Sequence, residues 1–112
     1  MGLTLDQILG ADDLRSEVVE VPEWGGSVTV RTMTGADADR LFELMSQPDG
    51  RKKFRDALIV ATVVDDAGAP MFTPEHLPAL RTKSATALKR VADVAMRLNG
   101  MASDSVEVAA GN

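Results

Sequence analysis

The stretch SEVVEVPEWGGSVTVRTM, residues 16–33, gives the clearest indication of how this chain folds. Its two ends, 16–22 and 27–33, are rich in β-branched residues, and the second alternates apolar with polar side chains. Between them stands the sequence Glu-Trp-Gly-Gly. Two β-prone runs joined by a short glycine-containing loop predict a β-hairpin. Pro22 has no N–H to donate to a neighbouring strand, so the first strand should lie at the edge of its sheet.

Trp24, in the loop of this hairpin, is the only tryptophan among 112 residues that include three phenylalanines and no tyrosine. Two interpretations are open. The indole can fold back over the hairpin and cap a small core, while the glycines supply the positive φ angles of the turn. Alternatively, the indole is an exposed anchor for a partner, because tryptophan is enriched at interface hot spots. Trp24 is therefore a candidate protein-interaction residue.

Helix signals stand on both sides of the hairpin. Before it, Thr4 and Gln7 have the spacing of a capping box, which predicts a short helix ending near Gly10. After it, periodicity and caps predict a body of three to four helices at 35–46, 51–64, 74–80 and 85–99. The expected fold class is therefore α+β, mainly α. We expect one domain over residues 1–100 and a flexible C-terminal tail over 101–112.

Two of these helices carry more detailed predictions. Thr34 is a good N-cap for the helix at 35–46. The apolar stripe expected on that helix consists of Ala38, Leu41, Phe42 and Met45. The last four to six residues of 51–64 are rich in β-branched side chains, so a strand remains open as an alternative there.

Charge is distributed unevenly along the chain, whose net charge is −5. Residues 1–23 carry six acidic residues against Arg15, so the other 89 residues are balanced. A pI of 4.7 argues against nucleic acid as the main partner, since nucleic-acid binding neutralises phosphates. The one basic cluster consists of Arg51, Lys52, Lys53 and Arg55. It is either a solvated helix start or a docking patch for an acidic surface.

The residue inventory excludes several chemistries. Without cysteine the chain has no disulfide framework, thiolate metal cage or thiol nucleophile, which fits a reducing compartment. No basic n-region precedes an apolar run, and no apolar stretch approaches transmembrane length, which favours a cytoplasmic protein without a membrane partner.

Catalytic and metal-binding patterns are also missing from the sequence. His76 has no recognisable partner to orient it as a general base, and we expect it to be structural or exposed. The acids Asp65, Asp66 and Glu75 do not fit a calcium loop, because Val63 would occupy the position of the first aspartate. We therefore expect no enzymatic activity, no cofactor and no metal.

Met71 and Phe72 come directly after the turn sequence DDAGAP at 65–70. Methionines can fill gaps in a core that is poor in aromatics, or they can form an adaptable surface that repacks against irregular partners. Because this pair follows a turn, it should be partly exposed. Both residues are candidate protein-interaction residues.

Four motifs in this order resemble one family. They are the TLDQIL helix, VEVPEWGGSVTVRTMTG, the VVDDAGAPMF turn and the helix SATALKRVADVAMRLNG. Together they are similar to the tail assembly chaperones of long-tailed bacteriophages and prophages, over nearly the whole chain. VPEWGG is the most specific part of the resemblance. Met33 and the basic segment 51–55 depart from the family pattern.

This resemblance implies a non-enzymatic chaperone in the host bacterial cytoplasm that is absent from the mature virion. Proteins of this family coat the long, helical tape measure protein. They also help to recruit tail tube subunits, in many cases through a longer form made by ribosomal frameshifting.

Self-association would strengthen a coat made of many weak contacts through avidity. One hypothesis is that the acidic N-terminal arm or hairpin of one copy docks head to tail on the 51–55 cluster of the next. Such a contact would be sensitive to salt.

Two other functions remain open on the sequence alone. The chain could be a different phage morphogenesis factor, such as a head–tail completion protein that stays in the virion. It could also be a small regulatory or antitoxin-like adaptor, although the acidic pI argues against a DNA partner for it.

Overall fold

A computed structural model describes residues 2–101 as a three-stranded antiparallel sheet packed on helices, which confirms the α+β, mainly α class. The strands, in sheet order, are β1 (Ser16–Val21), β2 (Gly26–Arg31) and β3 (Val63–Val64). The helices are α1 (Leu5–Leu9), α2 (Gly35–Met45), α3 (Phe54–Thr62), α4 (Leu77–Leu80) and α5 (Ala85–Leu98). Short 3₁₀ turns are found at Pro22–Trp24, Gly50–Lys53 and Pro74–His76. Of the tail predicted at 101–112, only Met101 lies within the described residues, and it packs against the core.

The β-hairpin is present as predicted. β1 and β2 pair along their whole length, and β1 lies at the edge of the sheet, where Pro22 can follow it without losing a ladder bond. The connection is the 3₁₀ turn Pro22–Trp24 followed by Gly25 in the left-handed region, at φ 76°. Glycine adopts that angle without the clash that a side chain would cause. The turn thereby places Trp24 at the tip of the hairpin.

The segment predicted as a helix at 51–64 is divided among three elements. It begins in the 3₁₀ turn Gly50–Lys53, where Gly50 lies so close to the Met45 backbone that a side chain there would collide with it. α3 follows, and the β-branched end of the segment forms β3, which pairs with β2. The strand alternative was therefore right for the last two residues.

The core lies between the sheet and the helices α3 and α5. α5 packs on both long strands and on α3, which in turn contacts α2. Ser84 caps α5 by accepting a hydrogen bond from the Ala87 N–H at 3.3 Å, and Gly100 follows the helix at φ 70°. The side chains that α5 buries are Ala87, Leu88, Val91, Ala92, Ala95, Met96 and Leu98.

The apolar stripe predicted on α2 is wrong in part. Phe42 is 77 % exposed and Ala38 is exposed as well, whereas Leu41 and Leu44 are buried. The helix is rotated relative to the predicted stripe, because its inner face begins at Asp37 rather than at Ala38. The Asp37 carboxylate receives hydrogen bonds there from the Thr34 cap and two arginines. That rotation turns Phe42 to solvent.

α1 forms as predicted but packs on nothing that buries it. Thr4 and Gln7 make both hydrogen bonds of the capping box, and Gly10 ends the helix. No residue of α1 is buried. We call residues 2–14 the N-terminal arm. No helix in the described part of the chain is both long and apolar enough to span a membrane.

Candidate functional site

An open groove lies where the tip of the hairpin meets the α4 region, and we call it the Trp24 groove. Its volume is about 580 Å³, within the range of about 300–1,000 Å³ of ligand-sized clefts. Three separate segments form its walls: the hairpin turn, the pair after the 65–70 turn, and residues 76–83. The lining side chains are Glu23, Trp24, Met71, Phe72, His76, Ala79, Leu80 and Lys83.

Trp24 contacts both the core and the groove. Its indole is half-buried and packs against the core cluster, and it also lines the groove. The two interpretations of this tryptophan are therefore compatible, because the same ring can cap the core and still offer surface to a partner. The 3₁₀ turn and Gly25 fix its position at the hairpin tip.

Met71 and Phe72 form the opposite part of the lining. Met71 is 44 % exposed and Phe72 is half-buried, so both are partly exposed, as expected for a pair that follows a turn. The Met71 N–H donates to the Val63 carbonyl at 3.1 Å, which anchors the pair to the end of α3 and to β3. Phe72 meets the His76 ring edge to face, with centroids 6.0 Å apart and planes at 73°. The structure therefore brings Trp24, Met71 and Phe72 to one site.

His76 has a structural role in the wall of this groove. It is exposed, and its Nδ1 accepts a hydrogen bond from the Thr73 N–H at 3.0 Å, which caps the 3₁₀ turn beginning at Pro74. Across residues 2–101, no three or more His, Cys, Asp or Glu side chains stand together in a way that could hold a metal ion.

An ion pair joins the hairpin turn to α5 beside the groove. Arg90 donates to both carboxylate oxygens of Glu23, at 2.7 and 3.0 Å. This bidentate pairing is the main reason why the pKa of Glu23 falls to about 2. Lys83, also in the lining, makes no ion pair with the described residues. Among apolar side chains, the groove therefore carries an acid paired with Arg90 and a lysine that has no ion-pair partner within residues 2–101.

The basic cluster lies apart from the groove, since none of its members lines it. Its residues are Arg51, Lys52, Lys53 and Arg55, of which the first two are exposed and the last two half-buried. The Arg55 Nε donates to Asp56 at 2.8 Å, so this arginine stabilises the fold by pairing with a buried carboxylate. Whether the other three contact a partner stays a prediction.

Two buried carboxylates were missed by the sequence analysis. Asp56 is fully buried and receives hydrogen bonds from Arg55 and Arg81. Asp37 is held by the Thr34 N–H, by Arg31 at 3.3 Å and by Arg40. The available signal for Asp37 was the Thr-x-x-Asp spacing of a cap, whereas nothing local marks Asp56. Both carboxylates fix the helical body that carries the groove.

Burial of Asp37 raises its pKa, but hydrogen bonds from the Thr34 N–H and hydroxyl, together with the two arginines, outweigh it. The net effect is that the pKa of Asp37 is lowered. Its carboxylate therefore stays ionised in the folded protein at neutral pH.

The fold is similar to that of a solved structure, the tail assembly chaperone of bacteriophage HK97. The TM-score is 0.62 and the sequence identity is 24 %, and the match covers 88 % of this chain and 96 % of that one. No family model matches the sequence, and no curated protein is significantly similar to it. The resemblance to phage tail assembly chaperones is thus confirmed at the level of the fold.

Proposed function

We propose that this chain is a phage tail assembly chaperone that binds an apolar helical segment of a tape measure protein in the Trp24 groove. The observation that carries the proposal is the shared fold, which extends over most of this chain and of the HK97 tail assembly chaperone. The motif resemblance over the same length supports it independently.

The chemistry of the groove suits such a partner. An amphipathic helix binds by laying its apolar face into a groove lined by aliphatic and aromatic side chains. Trp24 and Phe72 offer rigid apolar surface, and Met71 can repack against side chains of different shapes. A groove of this kind tolerates many sequences, as a chaperone of a long helical protein requires.

The finer steps of the role follow from the same proposal. Several copies coat the tape measure protein in the host cytoplasm, because many modest contacts along one chain gain strength through avidity. A longer form made by frameshifting recruits tail tube subunits. The copies then leave, and none remains in the mature virion. None of these steps requires catalysis.

The proposal is tested by co-expressing this chain with the tape measure protein of the same phage. We expect the tape measure protein to become soluble and to co-purify with several copies of the chain. Met71→Glu places a charge in the groove and should abolish this effect. Phe42→Ser is the matched control, because it removes an exposed apolar side chain on α2, which contributes nothing to the groove lining.

A tape measure protein that stays insoluble, with both the short and the frameshift-extended forms, would contradict the proposal. Mass spectrometry of purified virions separates it from the alternative of a head–tail completion protein. A chaperone should be undetectable in the particles, whereas a completion protein would be present in fixed copy number.

A further inference from the structure

The N-terminal arm presents an apolar helix face that the described residues, 2–101, leave uncovered. Leu5, Ile8 and Leu9 follow the i, i+3, i+4 spacing that places side chains on one side of a helix. They are 69, 55 and 76 % exposed, and Leu3 just before them is 72 % exposed. A five-residue helix is marginal in water on its own, even with a capping box. Contact with a surface that covers its apolar face would therefore stabilise this helix.

The arm leaves the fold far from its own groove. The Arg15 N–H donates to the Thr32 hydroxyl at 2.9 Å, so the arm is anchored at the end of the hairpin opposite Trp24. From Ser16 to Val21, β1 is roughly 17 Å long. In this structure no residue of the arm lines the groove of its own copy.

Charge and shape on the arm complement the groove. The arm carries Asp6, Asp12 and Asp13 and no basic residue. The groove offers apolar walls and Lys83, which pairs with no acid in the described part of the chain, while its own acid, Glu23, is already neutralised by Arg90. An acidic helix with anchors at i, i+3 and i+4 matches the way helices enter such grooves.

We infer that the N-terminal arm of one copy docks, through the apolar face of α1, into the Trp24 groove of a second copy. The inference deepens the proposed function by naming the occupant of the groove in the free protein, and it rests on that function only in treating the groove as a helix site. The arm and the groove lie at opposite ends of the hairpin, so the contact joins two different surfaces of neighbouring copies.

Sedimentation of the purified full chain over a range of concentrations tests this contact. We expect the wild type to associate, and Ile8→Asp on the arm and Met71→Glu in the groove each to raise the dissociation constant by at least about tenfold. Phe42→Ser, which removes a comparably exposed apolar side chain elsewhere, should associate like the wild type. Ile8 is not buried, so its substitution should leave the circular dichroism of the fold unchanged.

Mixing the two defective variants gives the sharpest outcome. The Ile8→Asp copy keeps an intact groove and the Met71→Glu copy keeps an intact arm, so one sound junction remains. The mixture should form dimers and nothing larger, with Trp24 emission shifted to shorter wavelength in the dimer.

Three results would overturn arm docking: a wild type that stays monomeric, an Ile8→Asp variant that associates like the wild type, or a mixture that does not dimerise. If charge reversal at Arg51, Lys52 and Lys53 abolished association while Ile8→Asp did not, the basic cluster would be the docking surface instead. These samples contain no phage partner, so a negative result would leave the chaperone role to the co-expression test.

Discussion

Two helices of this protein, α1 in the N-terminal arm and α5 at the end of the helical body, both begin with a side-chain hydroxyl cap. Thr4 caps α1 and Ser84 caps α5. α5 then buries seven side chains, whereas α1 buries none. A cap therefore fixes where a helix begins, but packing determines how much the helix contributes to stability. The apolar side chains of α1 are thus left uncovered by residues 2–101.

Among substitutions that test this difference between α1 and α5, the largest effect on stability is expected at the centre of α5. Leu88 is fully buried, so Leu88→Ala removes apolar contacts and leaves a cavity. The free energy of unfolding should fall by about 2–5 kcal/mol. Urea denaturation, at concentrations where the protein is monomeric, measures the change. A loss below about 1 kcal/mol would mean that α5 is not central to the core.

The next effect concerns Asp37, whose carboxylate joins α2 to Arg31 at the end of β2. Asp37→Asn keeps the shape of the side chain but removes its charge, and should cost about 1–3 kcal/mol at pH 7. Because the pKa of Asp37 is lower in the folded than in the unfolded chain, its contribution is present above the unfolded value and lost as the pH falls through the folded one.

Asp37→Asn should therefore lose less stability than the wild type on acidification from about pH 5. Urea denaturation repeated across this pH range makes the comparison. Parallel pH profiles for the two proteins would contradict the ionised state that the structure gives to Asp37.

The two caps provide a matched pair with a smaller effect. Ser84→Ala should destabilise the fold by about 0.5–2 kcal/mol, because the helix that it caps is packed. Thr4→Ala should change global stability by less than about 0.5 kcal/mol, since α1 is formed outside the core. Thr4→Ala should instead weaken self-association. Thermal unfolding and sedimentation of both variants separate the two effects. Equal losses of stability would contradict the difference in packing between α1 and α5.

The smallest effect is expected for Leu9→Ser in α1. Leu9 is 76 % exposed, so the substitution should alter the free energy of unfolding by no more than about 0.5 kcal/mol in the monomer. Chemical denaturation at low protein concentration checks this. A destabilisation above about 1 kcal/mol would show that α1 packs on its own chain in solution.

Local signals explain most of what the sequence predicted correctly. The caps at Thr4 and Thr34 and the hairpin around Gly25 depend on residues within a few positions of one another. The interactions that form these elements are local, so a short stretch of sequence is enough to predict each of them.

Long-range contacts explain what was missed. Trp24, Met71 and Phe72 were each singled out, but nothing in a linear pattern shows that they share a groove. Phe42 was assigned to the wrong face of α2. Arg31, which lies outside that helix, pairs with Asp37 and keeps Asp37 on the inner face, so Phe42 is turned to solvent. Such pairings depend on the tertiary fold and override local periodicity.

The Trp24 groove exists only when the hairpin and the helical body are assembled, because its walls come from segments about 50 residues apart in sequence. An occupant therefore binds the native chain and not the unfolded one. By mass action, a ligand at 100 times its dissociation constant adds about 2.7 kcal/mol to the stability of the protein that it binds. A helix held in this groove would fasten the hairpin to α4, alongside the Glu23–Arg90 ion pair that fastens it to α5. The partner that is kept soluble would thus raise the melting temperature of its own carrier.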